Sequence, residues 1–283
     1  MSVQVCVNSG LGLGLSTEEM IPALAAAGFD GVFTGWNPGD TIKEWAKLIR
    51  ECGMKYQSVH SPFKKVDKLW VEGTAGDDAA DELIRCVHEC ADADVPIVIV
   101  HPIIGMDKHT PTDLGISRFS RLVRAGEEAG VKIAFENVEG IEYLEAIIRE
   151  LGDSDAVGYC WDTGHEMCYN HSADVPALFG DKLICTHLND NMKQTDPAVV
   201  TWLDDSHMMP GDGLANWQDI VRRLRRCGYA GELTFELTAK GKPGRNTHSI
   251  YEGLSPEEFI ALAYKKADAV RSAFITAGPA DQN

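Results

Sequence analysis

The 283-residue chain is poor in basic side chains: 26 lysines and arginines face 43 aspartates and glutamates, a formal charge of −17. That deficit argues against a nucleic-acid-gripping surface, because neutralising phosphates takes a dense basic face. The one basic cluster, Arg222, Arg223, Arg225 and Arg226, falls within a single helical stretch and reads as a solvated helix face. No apolar run approaches the roughly 20 residues of a membrane helix, and no basic segment followed by an apolar one opens the chain. The expectation is a soluble, cytoplasmic protein with neither nucleic acid nor membrane as partner. The 8 cysteines include no C-x-x-C pair, so they read as reduced, buried small hydrophobes rather than as disulfides or a zinc knuckle. A G-x-G-x-x-G fingerprint is missing too. Gly10-Leu11-Gly12-Leu13-Gly14 has the wrong spacing for a pyrophosphate cradle, which counts against an open dinucleotide-binding sheet.

What the chain does have is apolar content, 44% hydrophobic residues with 8% aromatic, enough for a sizeable core and too much for disorder. Short β-branched runs alternate with longer amphipathic stretches, the pattern of βα units around a parallel sheet. Strands are expected at residues 3–8, 31–34, 55–60, 97–101, 132–136, 157–161, 183–187 and 232–236. Helices are expected at 17–27, 41–52, 77–93, 116–129, 141–151, 217–227 and 256–274. Asp40 and Ser255 stand where N-caps belong, the latter followed by Pro256 and Glu258, and Gly28, Gly53, Gly130, Gly152 and Gly228 stand where left-handed C-caps belong. Eight strands with intervening helices in about 250 residues predict an α/β fold, a closed (β/α)8 TIM barrel, as one domain over 1–283. Long connections at 61–76, 189–216 and 237–254 are expected to build the pocket.

The informative feature is what ends each strand. The third ends in His60, the fourth in His101, the fifth in Glu136, the sixth runs into Asp162, the seventh ends in His187 and the eighth in Glu236. Barrel active sites are assembled from such ends, so a convergent site is expected. Glu136, Asp162, His187 and Glu236 offer three carboxylates and one imidazole, a set suited to one divalent ion, Mn²⁺, Mg²⁺, Co²⁺ or Zn²⁺. Three anions around one dication leave a residual negative charge, for which His165 and Lys193 are candidate neighbours. Two carboxylates flanking a carbon next to a carbonyl serve to remove and return its proton. Trp36, Trp70, Trp161 and Trp202 are candidates for either a sugar-facing wall or core, with Trp36 the one assigned to substrate. His88, His109, His171 and His248 lie outside the strand-end pattern and read as surface or loop residues.

Phe135-Glu136-Asn137, Trp161-Asp162-Thr163-Gly164-His165, Thr186-His187-Leu188-Asn189-Asp190 and Phe235-Glu236 together resemble the signature segments of the xylose-isomerase-like barrel superfamily. The resemblance implies a sugar isomerase or epimerase working through a metal-stabilised enediolate on a small ketose or related hydroxy-carbonyl compound. It implies one divalent metal on Glu136, Asp162, His187 and Glu236, with Glu136 and Glu236 as acid and base. His165 would contact substrate oxygen, and Glu142 matches a further substrate-side carboxylate. Lys193 stands where ketose epimerases carry an arginine, and a lysine cannot reproduce that bidentate fork.

A second branch of the superfamily, the endonuclease IV repair enzymes, holds up to three zinc ions. Its ligand positions are filled here by His60, His101, Glu136, Asp162, His165, His187, Asp205, His207 and Glu236. In a sugar enzyme His60, His101, Asp205 and His207 become substrate-side donors. An inosose dehydratase-type lyase and a non-catalytic sugar-binding barrel are further alternatives. The acidic loops rank a small sugar or polyol-derived substrate above DNA. A homodimer or homotetramer is the expected assembly.

Overall fold

The computed structural model describes residues 3–106 and 110–277. Eight parallel strands, β1 (Val5–Asn8), β2 (Gly31–Gly35), β3 (Lys55–His60), β4 (Ile97–Val100), β5 (Lys132–Glu136), β6 (Val157–Asp162), β7 (Leu183–His187) and β8 (Leu233–Phe235), pair in chain order, with β8 returning to β1. The remaining seam, between β7 and β8, is held by a bridge just past the strands. Leu188 N–H donates to Thr234 at 2.8 Å and Glu236 N–H to Leu188 at 3.2 Å. The chain is therefore the expected (β/α)8 barrel.

Helices α1 (Thr17–Ala27), α2 (Thr41–Glu51), α3 (Thr74–Asp92), α4 (Asp113–Ala129) and α5 (Ile141–Leu151) follow the first five strands. After them come two short helices, α6 (Thr163–Cys168) and α7 (Val175–Phe179), then α8 (Trp217–Arg226) and α9 (Pro256–Thr276). α4 begins earlier than its apolar pattern indicates because Thr112 caps it, its hydroxyl accepting from Gly115 N–H at 3.2 Å. α6 was not expected. It starts directly on Asp162, and all six of its residues are buried, so no amphipathic period marks it. α9 carries the full capping box on Ser255 and Glu258, whereas Asp40 makes no side-chain cap on α2. Gly28, Gly53, Gly130 and Gly228 are left-handed as expected, but Gly152 is not, with φ −69°.

Strand alternation sets the interior. Residues i and i+2 face the same way, so the ligand-bearing ends stand above a lower layer built from Ile99, Ala134, Cys160 and Cys185. The alternate residues, such as Val98, Val100, Ile133, Phe135 and Trp161, point outward into the apolar shell beneath the helices. All eight cysteines are free thiols, and Cys52 and Cys227 are only partly buried. His109 lies outside the described residues. His248 is in a loop as expected, yet buried.

The β3–α3 connection, which forms one wall of the mouth, is fixed by Arg118 on α4. Its buried guanidinium donates to the carbonyls of Lys68, Leu69, Val71 and Gly73 at 2.7–3.2 Å and pairs with Asp77 at 3.0 Å. Gly76 and Gly115 leave no room for a Cβ against Arg118 and the Trp70 ring, so both glycines serve this close approach. Replacing Arg118 by Met keeps the bulk and strands the carbonyls, each unpaired buried acceptor costing about 1–3 kcal/mol. We expect Arg118→Met to lose roughly 3 kcal/mol of stability, read as a lower urea midpoint. An unchanged midpoint would remove this anchoring role.

Candidate active site

Six strand ends deliver their side chains to one centre. Glu136, with no exposed surface, lies in the middle. Its Oε1 is 2.8 Å from His187 Nδ1, and its Oε2 is 3.1 Å from His101 Nε2 and 3.4 Å from His60 Nε2. His187 Nδ1 also lies 3.1 Å from Glu236 Oε2, so one imidazole nitrogen faces two carboxylates. Asp162 caps α6, its Oδ1 accepting from His165 N–H at 2.6 Å, while Oδ2 accepts from Asn189 at 2.9 Å.

The long loop after β7 adds a second tier. Asp205 Oδ2 lies 2.9 Å from His207 Nε2 and accepts from Lys242 at 3.2 Å; its Oδ1 is 3.6 Å from His165 Nε2. His207 holds φ +49°, a left-handed conformation unusual for a side-chain-bearing residue. Asp190 organises this loop, accepting from Gly211 and Ala215 N–H groups at 2.8 and 2.9 Å and from the Trp217 indole at 2.9 Å.

Three sets of imidazole and carboxylate donor atoms result, each within 4.8 Å: His60, His101 and Glu136; Glu136, Asp162, His187 and Glu236; and His165, Asp205 and His207; a fourth, Cys160, Cys185 and His187, lies in the layer beneath. Glu136 belongs to two of them. Several buried atoms aimed inward, Glu136 Oε2, Asp205 Oδ1 and His207 Nδ1 among them, complete no hydrogen bond among the described residues. Buried polar atoms without partners are rare and call for an explanation. A divalent cation among carboxylate and imidazole donors provides one, and the residues present fit it.

Protonation shows the same demand for positive charge. Burial pushes the Glu136 carboxyl up, but attraction to His187, its hydrogen bond at Oε1 and the close approach of the His101 and His60 imidazoles outweigh it and hold it well below the usual carboxylate range. Glu236 settles at about 2 by the same opposition, burial against His187 and His207. Asp162, with less help, is raised by burial to about 6. Burial disfavours the charged form of His207, yet Asp205 and Glu236 carry it to about 9.

The supporting residues fix the ring and backbone geometry. Phe33 stacks on His187 at 4.5 Å between ring centres, and Asn137 clamps β5 to β6, donating to the Asp162 carbonyl at 2.9 Å and accepting from its N–H at 2.7 Å. Ligand-orienting contacts of this kind set tautomer and direction in metal sites.

This architecture matches a family model described as xylose isomerase-like TIM barrel over residues 21–255. The chain belongs to that family. An uncharacterized protein of Sinorhizobium fredii, y4fM, is 30% identical over 297 residues, covering 88% of this chain and 91% of that protein. Among solved structures, D-psicose 3-epimerase from Clostridium cellulolyticum H10, crystallised with D-tagatose, superposes with a TM-score of 0.73. It is 15% identical, with 96% of this chain and 99% of that one covered. An L-ribulose 3-epimerase gives 0.69 at 17% identity, covering 98% and 99%. At such identities the likeness is one of fold.

Within this family barrel, two expected substrate-side residues lie elsewhere. Glu142 is exposed on the first turn of α5, and Glu139, three residues earlier, faces the site. Lys193 is exposed and lines a separate cleft with Glu166, Asp174 and Asp219; the amine at the centre is Lys242. Both differences arise in loops, where spacing from a strand end does not fix direction. Trp36 lines an adjoining cavity, Trp202 sits half-exposed at the rim, and Trp70 and Trp161 are core. Phe63, Tyr169 and Glu139 were not singled out from sequence. Lys242, within the long connection after β8, was not singled out either.

Glu136→Gln should weaken Mn²⁺ binding at least tenfold by isothermal titration, since it removes charge from the centre of two donor sets. Glu142→Ala and Lys193→Ala should leave it unchanged. Equal effects from all three variants would contradict this placement.

Proposed function

We propose that the protein is a divalent-metal-dependent sugar isomerase or epimerase that moves a proton next to the carbonyl of a hydroxy-carbonyl substrate. The observation that carries this reading is the Glu136, Asp162, His187 and Glu236 set at the floor of an open mouth, with Glu236 facing that mouth. The fold likeness to ketose 3-epimerases supports it.

A bound divalent ion would supply positive charge beside the substrate carbonyl and so acidify the adjacent C–H. Asp162 and His187 serve as holders, both fully buried and clamped by Asn189 and Phe33. The two glutamates differ. Glu136 has no exposed surface, whereas the Glu236 side chain is 23% exposed and borders both cavities at the mouth. Glu236 is the carboxylate a substrate carbon can reach, and it fits the role of proton acceptor. Its low pKa keeps it ionised near neutrality. His101, Glu139 and His165 border the mouth as partners for substrate hydroxyls. Burial pushes Glu139 above the usual carboxyl range, so it is closer to offering a proton than Glu236 is.

One observation favours a second reading, a three-metal phosphoester hydrolase. All the side chains of the endonuclease-type set come together, in three donor groups. The mouth argues against a duplex substrate: Lys65, Lys242 and Arg245 are each paired with an acid, Glu82, Asp205 and Asp204. Cations already neutralised give little counterion release.

Incubation of the Mn²⁺-loaded protein in D₂O with a panel of ketoses should place deuterium at an exchangeable carbon. Glu236→Gln should fold normally and lose roughly 10²–10⁴-fold in that exchange, the span of general-base catalysis. Absence of exchange with every substrate would sink the reading. Metal analysis discriminates independently: the epimerase reading expects one ion per chain and no cleavage of abasic DNA, while three ions with cleavage would establish the second.

A further inference from the structure

Beneath the candidate metal centre, two cysteines meet across neighbouring strands. Cys160 on β6 and Cys185 on β7 are register partners in the buried layer that Ile99 and Ala134 complete, and their thiols are within hydrogen-bonding reach of each other. His187 stands two residues beyond Cys185, so strand alternation puts its imidazole on the same inner face. One nitrogen of that ring and the two sulfurs lie within 4.8 Å of one another. Zinc–sulfur bonds of about 2.3 Å let two sulfurs on one ion stand up to about 4.6 Å apart, so the spacing suits a shared ion.

The surroundings of these sulfurs are not those of a plain apolar core. Gln57, wholly buried, directs its amide nitrogen at Cys185 Sγ from 3.3 Å. Ser58 fixes that orientation, its hydroxyl donating to Gln57 Oε1 at 2.6 Å. A neutral thiol is a weak acceptor and a charged one a far better match for a buried N–H, so the amide is placed for a thiolate. His187 Nε2 is buried and has no hydrogen-bond partner among the described residues, while Nδ1 is the nitrogen that faces Glu136 and Glu236.

Charge and softness select the ion. Two thiolates and a neutral imidazole around a dication sum to zero, which an apolar layer tolerates. A monovalent ion such as Cu⁺ would leave a negative remainder directly below Glu136. Mn²⁺ and Mg²⁺ are oxygen-seeking and belong to the carboxylate set above.

We propose that Cys160, Cys185 and His187 form a second metal site, for a thiophilic dication of the Zn²⁺ or Cd²⁺ class, the two thiol protons leaving to solvent on binding. The barrel then carries an oxygen-rich site at its mouth and a sulfur-rich one below it, with His187 a donor to both. The lower site stands apart from the activity proposed above: both of its sulfurs lie outside the carboxylate set, and it is measured without turnover.

The experiment is titration of Cd²⁺ into reduced, Mg²⁺-saturated protein, followed by the ultraviolet charge-transfer absorption of thiolate-bound cadmium. The band should develop to completion at one Cd²⁺ per chain. Cys160→Ser and Cys185→Ser should each remove most of it and lower Cd²⁺ affinity at least tenfold. Cys52→Ser and Cys227→Ser, at the two partly buried thiols, should change neither. Circular dichroism reports the fold of each variant, and cadmium NMR of the unsubstituted protein, which needs no variant, should show a resonance of mixed sulfur–nitrogen coordination. No charge-transfer band in the unsubstituted protein, a band that survives both Cys160→Ser and Cys185→Ser, or resonances of all-oxygen coordination alone would overturn the proposal. Deuterium exchange on ketoses without thiolate-bound cadmium would leave the isomerase reading standing and strike the sulfur site alone. Thiolate-bound cadmium at Cys160 and Cys185 without exchange would do the reverse.

Discussion

The structure is organised around negative charge that has nowhere to go. Glu136 and Asp162 are buried, and Glu236 nearly so, at the carboxyl ends of largely apolar strands, with Asp205 buried above them on the loop after β7. Carboxylates in such surroundings either neutralise or find cations. The three sets of imidazoles and acids are the protein's answer, and the inward-facing atoms left without hydrogen bonds show that it is an incomplete one. The −17 formal charge of the chain is therefore partly a property of this one place.

Holding those groups requires rigidity that the strands alone do not provide. Asn137 and Asn189 tie the ends of β5, β6 and β7 together around Asp162, and Asp190 gathers the start and end of the following loop so that Asp205 and His207 return over the centre. Arg118 does the same on the opposite rim by collecting carbonyls of the β3–α3 connection. Phe63, stacked on His101, carries the rim formed by that connection down to the same floor.

The strands and their terminal residues were legible because they rest on local rules: β-branched runs with period 2, and a ligand-type side chain where each run stops. That fixed the barrel, the four-residue set and the positions of His60 and His101. What was illegible lay where the chain leaves regular structure. Counting along from Glu136 and His187 points to Glu142 and Lys193, whereas the turns bring Glu139 and Lys242 to the mouth. Lys242 lies on the next long loop, and no spacing within a motif leads to it. α6 escaped notice because it is buried all round, and the roles of Phe33 and Phe63 depend on ring stacking that sequence does not encode locally.

The seam between β7 and β8 has a mechanical meaning. Every other neighbouring pair of strands shares a ladder of register partners, but this one is joined by a bridge beyond the strand ends. His187 and Glu236 stand on its two sides, 3.1 Å apart. The barrel resembles a hoop whose last joint is riveted twice, by Leu188 past the strand ends and by Thr186 within them, whose hydroxyl accepts from Thr234 N–H at 3.0 Å. Two side chains of the candidate site thus flank the one joint in the hoop that has no ladder.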